Sequence, residues 1–186
     1  IEDPWDGPFN AVYCIIHFDG KYYMYYRCLG NGVYTMLRAD SIDGITWTKP
    51  ELGLIEINGV RIPNAVALEQ PDGTIAPATA MKVFVDNSPG VSGDERIKAI
   101  FAADEDKKLD PFYDGKGRKS VYLMTSDDGA VFRMKQQEPI VRSELPNCFD
   151  GLNQIFWSDV EQCYVFYYRF MDPYRTIARR TATSLT

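Results

Sequence analysis

The sequence is poor in the residues that several functions require. It has a single histidine, His17, and four cysteines, Cys14, Cys28, Cys148 and Cys163, none in C-x-x-C spacing. A zinc or other metal site is therefore not expected, and no cofactor is implied. Buried free thiols are the simplest reading, with a Cys14–Cys28 bridge as the alternative, and the redox compartment stays open. Basic residues are scattered and the net charge is −6, which argues against nucleic acid. No apolar run approaches the ~20 residues of a membrane helix. No window carries a capped apolar stripe of helical period, so long helices are not expected.

What is abundant is aromatic. Aromatic residues make up 13% of the chain, including 12 Tyr and 10 Phe, and such residues favour strands. Ala11 to Phe18 and Lys21 to Cys28 are strand-like runs separated by the turn Asp19-Gly20, which reads as a hairpin. The second run is aromatic on both faces and needs cover on both sides, as a central blade strand has.

The pattern recurs. Gln154 to Ser158, a turn at 159–162 and Cys163 to Phe170 form a second such hairpin, and Tyr25-Tyr26-Arg27 matches Tyr167-Tyr168-Arg169. Ser41-Ile42-Asp43-Gly44-Ile45-Thr46-Trp47 matches Ser126-Asp127-Asp128-Gly129-Ala130-Val131-Phe132, and a third copy begins at Ser184. Ser41 to Ser184 spans two intervals of about 71 residues, the length of a four-stranded blade with long loops. The Ser-x-Asp-Gly motif has some likeness to the Asp-box of sialidase propellers, but a structural Asp-Gly turn explains it.

Strands are expected near 11–18, 21–28, 33–40, 81–85, 96–102, 120–125, 152–158, 163–170 and 176–183. Gln70 to Thr79 and Asp104 to Lys119 are expected to be loops. The fold class is all-β: a β-propeller of four-stranded antiparallel blades, of which about two and a half are present. Blade 1 is expected at about 1–62, blade 2 at about 63–140 and the start of blade 3 at about 141–186. The first residue is Ile1 and the third motif copy is reached only at Ser184, so the chain is expected to be part of a longer propeller.

Three segments carry a family resemblance. They are Tyr22 to Arg27 with Ser41 to Leu54, Phe84 to Pro89 with Arg96 to Ala99, and Phe149 to Trp157 with Tyr164 to Arg169. Together they resemble bacterial proteins related to glycoside hydrolase families 32 and 43. The resemblance implies a five-bladed propeller with a sugar pocket at one end of its axis and a carbohydrate substrate. It also implies acidic residues converging from successive blades. Cleaving a glycosidic bond needs one carboxylic acid to protonate the leaving oxygen and one carboxylate to activate water or attack C1.

In such a propeller the loop leading into each innermost strand faces the pocket. Asp150 precedes the third innermost strand and Asp6, with Glu2 and Asp3 behind it, precedes the first. Asp150 and Asp6 are the candidate catalytic pair, against a turn or capping role. Asn153, Arg27, Arg169 and Asp3 are candidates for binding substrate. Asn153 is near enough to orient Asp150 or bind a hydroxyl; Arg27 and Arg169, as repeats at matched positions, are better suited to making the same structural ion pair twice.

The approach to the second innermost strand, Ile75 to Thr79, has no carboxylate. Asp86, at that strand's far end, reads as a turn residue. Glu69, Glu144 or absent blades would have to fill the gap. The expected function is hydrolysis of glycosidic bonds in an oligo- or polysaccharide. The alternatives are a non-catalytic sugar-binding or scaffold propeller and, more remotely, a sialidase-like one. A secreted or periplasmic setting is compatible with all three.

Overall fold

A computed structural model describes residues 3, 5–8, 10–30, 32–70, 72–78, 80–104, 119–143, 145, 148–149 and 153–185. Fifteen strands run through these residues: β1 Asn10–Phe18, β2 Lys21–Gly30, β3 Val33–Ser41, β4 Ile55–Ile57, β5 Val60–Ile62, β6 Ala67–Glu69, β7 Ile75–Pro77, β8 Met81–Val85, β9 Ile97–Asp104, β10 Lys119–Ser126, β11 Val131–Met134, β12 Val141–Arg142, β13 Gln154–Ser158, β14 Cys163–Met171 and β15 Arg175–Ala182. The helical content of the described residues is one 3-10 turn, Gly93–Glu95.

Each of the nine expected strands is found, with ends shifted by a residue or two. Short strands were missed: β4 to β7, β11 and β12. β7 falls in the expected loop Gln70 to Thr79. The expected loop between Asp104 and Lys119 lies mostly at 105–118, outside the described residues.

The strands form three antiparallel blocks. β1-β2-β3 is the first and β13-β14-β15 the third. Between them stand β8, β9 and β10 in order, with β11 and β12 both along the far edge of β10. The stretch past residue 62 first lies against β3, through a Leu37–Ala65 bridge, and then continues as β6, parallel to β11. One strand thus ties the first block to the second. A small hairpin, β4-β5, covers the first block's outer face.

The blocks are radial because their first strands are neighbours: β8 lies against β1 on one side and β13 on the other. The β1–β2 turn is the two-residue type that right-twisted strands prefer, with Asp19 at φ 50° and Gly20 at φ 73°. A bulge between Val12 and Cys14 displaces Tyr13 and opens its carbonyl, which accepts from Lys82 Nζ at 2.7 Å. Beside it Val83 N–H donates to Cys14 Sγ at 3.3 Å.

Burial explains why the tyrosine-rich strands are apolar on both faces. Tyr25 and Met36 face the second block with Phe132, Met81 and Val83; Tyr26 and Leu37 face the β4-β5 hairpin. Phe166 and Tyr168 face Phe84, Ile100 and Leu123 across the second seam. Each such side chain contributes about 1.5–3 kcal/mol by leaving water. All four cysteines are free thiols, so the Cys14–Cys28 bridge does not form. Burial pushes the thiols of Cys14 and Cys28 up to about 11, which leaves both unreactive at neutral pH.

The two Ser-x-Asp-Gly motifs form the same turn. Ser41 Oγ accepts from Gly44 N–H at 2.8 Å, and Asp43 Oδ1 accepts from the N–H groups of Ile45 and Thr46. In the second block Ser126 Oγ accepts from Gly129 N–H at 2.9 Å, and Asp128 Oδ1 accepts from Ala130 and Val131. These are side chains closing a turn, a structural task. The second turn also docks on the first block: Tyr25 Oη donates to the Gly129 carbonyl and Arg38 Nη1 to the Asp128 carbonyl, each at 2.9 Å.

Candidate functional site

Two groups of candidate residues emerge. The first surrounds Asp6, ahead of β1. Its side chain is buried, and Lys49 Nζ donates to Asp6 Oδ2 at 2.7 Å while Tyr26 Oη donates to Oδ1 at 3.3 Å. The same ammonium pairs with Asp3, and Asp6 N–H returns to the Asp3 carbonyl at 3.1 Å. Asn64, on the stretch beside β3, donates to Tyr26 Oη and to the Arg38 carbonyl, both at 2.9 Å. Burial disfavours the Lys49 charge, yet the hydrogen bonds to Asp3 and Asp6 hold its pKa above the ordinary lysine value. Burial also pushes the Tyr26 phenol up to about 12, the Asn64 bond opposing and the Asp6 charge reinforcing the rise.

This cluster borders a cavity of about 290 Å³ lined by Asp6, Asn10, Val12, Met24, Trp47 and Lys49, among others. It opens on the face of the first block that turns away from the second. A carboxylate, an ammonium, an amide and an indole around one hollow can both hydrogen-bond hydroxyls and stack on a ring.

The second group surrounds the loop into β13. Asp150, with 151 and 152, lies outside the described residues. The backbone on either side of it is described. Phe149 is buried and holds φ at 57°, a left-handed conformation that a bulky residue adopts only when its surroundings impose it. Its N–H donates to the Arg169 carbonyl at 3.1 Å, and its carbonyl accepts from Asn153 Nδ2 at 2.9 Å. Asn153 therefore spends its amide N–H on the loop; among the described residues its buried Oδ1 has no hydrogen-bond partner. Arg169 contributes through its backbone, holding Phe149 from β14.

Arg27 stands apart from both groups. Its guanidinium lies 3.7 Å over the Tyr34 ring and donates to Tyr13 Oη at 3.2 Å, so its partners are aromatic and the bulge sets one of them. Trp157 lies edge-on to Tyr164, and its Nε1 donates to Asp159 at 3.1 Å.

Asp86 is the turn residue expected, with Oδ1 accepting from Ser88 N–H at 2.9 Å. It is also more. Its side chain is fully buried, its Oδ2 pairs with Lys98, and Tyr164 Oη from the third block donates to it at 2.8 Å. Burial opposes the charge, but the Lys98, Ser88 and Tyr164 bonds hold the carboxyl below the ordinary range. This ion pair sits at the opposite end of β8 from the strand starts. Nothing in the local sequence pointed to Lys98 or Tyr164, nor to Lys49, Tyr26 or Asn64 around Asp6.

Among the described residues no three His, Cys, Asp or Glu side chains are grouped to hold a metal ion, and no helix is long and apolar enough to cross a membrane.

No protein-family model matches the chain, and no curated protein does. Solved structures do. A GH32 β-fructofuranosidase of Bombyx mori superposes with a TM-score of 0.57 at 16% identity over 94% of this chain. The match takes in 32% of that enzyme, so the chain spans about a third of its length. Two others share less: a fructan 1-exohydrolase IIa of Cichorium intybus (TM-score 0.41, 14% identity, 89% of this chain, 26% of that one) and a glycosyl hydrolase of Bacteroides ovatus (0.42, 13%, 91% and 45%). At these identities the first match shows the fold: the chain is all-β and makes up part of a β-propeller.

Proposed function

We propose that the chain supplies part of a carbohydrate-active propeller that hydrolyses glycosidic bonds of an oligo- or polysaccharide, with Asp150 and Asp6 as its paired carboxylates. The observation that carries this reading is the backbone around Asp150. A buried aromatic held at positive φ, pinned through its N–H to β14 and through its carbonyl to Asn153, is an expensive way to build an ordinary loop. Strain of about 1–3 kcal/mol persists where surrounding structure over-determines it, commonly at functional sites. The propeller fold shared with a β-fructofuranosidase adds support.

The roles follow from the chemistry. Asp150, on the pinned loop, is the carboxyl presented to substrate. Asp6 is the second carboxylate, beside a cavity whose Asn10, Lys49 and Trp47 suit hydroxyls and a sugar face. Asn153 positions the Asp150 loop; Arg169 and Asp3 are assigned to the rim that binds substrate, whereas Arg27, held by Tyr13 and Tyr34 away from both groups, is left out of it.

A second reading, a sugar-binding or scaffold propeller without catalysis, draws on two observations. Asp6 is already engaged by Lys49, and the strand-forming approach to β8 carries no carboxylate.

A panel of aryl glycosides and oligosaccharides separates the two. Wild type is expected to cleave at least one member, and Asp150→Asn to lose about 10²–10⁴-fold in rate with an unchanged circular dichroism spectrum. Equal rates for the two proteins remove Asp150 from the mechanism. Binding without cleavage by wild type establishes the second reading.

A further inference from the structure

We propose that the saccharide taken at the strand starts carries an anionic group, a carboxylate or a sulfate, and that Lys82 is the residue that binds it. This rests on the reading of the strand starts as a glycosidase pocket and adds the class of sugar to it. A glycosidase gathers carboxyl groups at that end, yet residues 75–79, the approach to β8, hold none. The first charged side chain reached from that approach is Lys82, the second residue of the strand. The second block therefore presents a cation where the sequence ahead of β1 and β13 offers Asp6 and Asp150.

Lys82 stands inside the molecule, away from its first and last strands. β8 is the middle one of the three innermost strands, with β1 on one side and β13 on the other. Met81 and Val83 point into the core of the first seam, so Lys82, between them, does not. Its side chain is partly buried, and Nζ donates to the Tyr13 carbonyl at 2.7 Å. Tyr13 is the residue that the β1 bulge displaces, and Arg27 holds its hydroxyl at 3.2 Å. Bulges commonly re-aim a strand beside an active site; this one sets a carbonyl against the lysine head and fixes where the ammonium lies.

The ammonium has no counter-charge among the described residues. Its hydrogen-bond partner is a neutral carbonyl, and the titratable group that acts on it is the Cys14 thiol, which burial keeps protonated at neutral pH. Lys49 and Lys98, drawn out of water in the same way, each meet an aspartate. Lysine rarely leaves water unpaired, and burial accordingly lowers the Lys82 pKa with no carboxylate opposing the fall. One of its three N–H donors goes to Tyr13, which leaves two for a ligand. The hydroxyls of a neutral sugar can accept those two bonds but bring no charge. A carboxylate or sulfate on the sugar brings both.

Isothermal titration calorimetry of the purified protein with two matched pairs of ligands tests this. One pair is trigalacturonate and its methyl ester; the other is a sulfated galactose trisaccharide and its desulfated form. Wild type is expected to bind at least one acidic member about 10–100-fold more tightly than its neutral partner, the range of a hydrogen bond to a charged group. The pair that shows the preference tells carboxylate from sulfate. Lys82→Met is expected to lose it with an unchanged circular dichroism spectrum, and Lys82→Arg to retain it. Equal binding of acidic and neutral members by wild type, binding of neither, or a preference that survives Lys82→Met or vanishes in Lys82→Arg overturns the proposal. If Lys82→Met does not fold, wild type alone decides: a preference that fails to shrink between about 0.05 and 0.5 M sodium chloride overturns it. Cleavage of neutral oligosaccharides without any acid preference removes this inference and leaves the glycosidase reading standing. Lys82-dependent binding without cleavage does the reverse.

Discussion

Replacing Lys98 with methionine is expected to destabilise the fold severely, by an amount that depends on pH. Asp86 has no exposed side-chain surface and Lys98 has 8%, so the pair is held out of water. Methionine matches the lysine stem but leaves the carboxylate buried without its counter-charge, a loss of about 3–5 kcal/mol in comparable pairs. Protonation limits the damage. Neutralising a carboxyl of ordinary pKa ~3.9 costs about 1.36 kcal/mol per pH unit, hence about 4 kcal/mol at pH 7 and about 1.5 kcal/mol at pH 5.

The sign of the pH dependence therefore reverses. In wild type the Asp86 pKa is depressed, so its stabilisation is present above the ordinary carboxylate pKa and is lost as pH falls through the folded value. In Lys98→Met burial raises that pKa, so stability is greatest in acid and is lost as pH rises. Urea denaturation at pH 7 and pH 5, followed by far-ultraviolet circular dichroism, reads both effects. A cost below about 1 kcal/mol at pH 7 would mean that the buried pair does not hold the second seam. A cost equal at the two pH values would refute the charge argument even if the variant were unstable.

Two further outcomes follow from the turns. Gly129→Ala is expected to cost about 1–3 kcal/mol through overpacking against Tyr25, and Tyr25→Phe to recover part of that loss by removing the clashing hydroxyl; strictly additive urea midpoints would argue against the contact. The Asp43 carboxyl, held down chiefly by the N–H groups of Thr46 and Ile45, is expected to titrate at about 2 by carbon-detected nuclear magnetic resonance. A midpoint near the ordinary ~3.9 would mean that the turn is not formed in solution.

The long hairpins were legible because their signals are local. Continuous apolar, aromatic-rich runs on either side of Asp19-Gly20, or of residues 159–162, fix strand and turn without reference to the rest of the chain. β4 to β7, β11 and β12 escaped notice because they are two to four residues long, too short for a periodic apolar signal, and one of their pairings, β6 with β11, joins residues more than sixty positions apart. The same divide runs through the site. The placing of Asp150 ahead of an innermost strand follows from a strand signal beginning nearby. The environment of Asp6 does not, because Lys49 is 43 positions away, Tyr26 is 20 away, and Asn64 reaches Tyr26 across 38. The Tyr25–Gly129 contact, 104 positions apart, gave the repeated tyrosine a docking role that the repeat alone did not disclose.

The most direct test is a crystal structure of Asp150→Asn soaked with an oligosaccharide that wild type cleaves or binds. The sugar is expected at the strand starts, with the residue 150 side chain facing a glycosidic oxygen or the anomeric carbon and the Asn153-Phe149 hydrogen bond intact. A sugar bound at the far end of β8, near Asp86, or no contact between sugar and residue 150, would contradict the assignment.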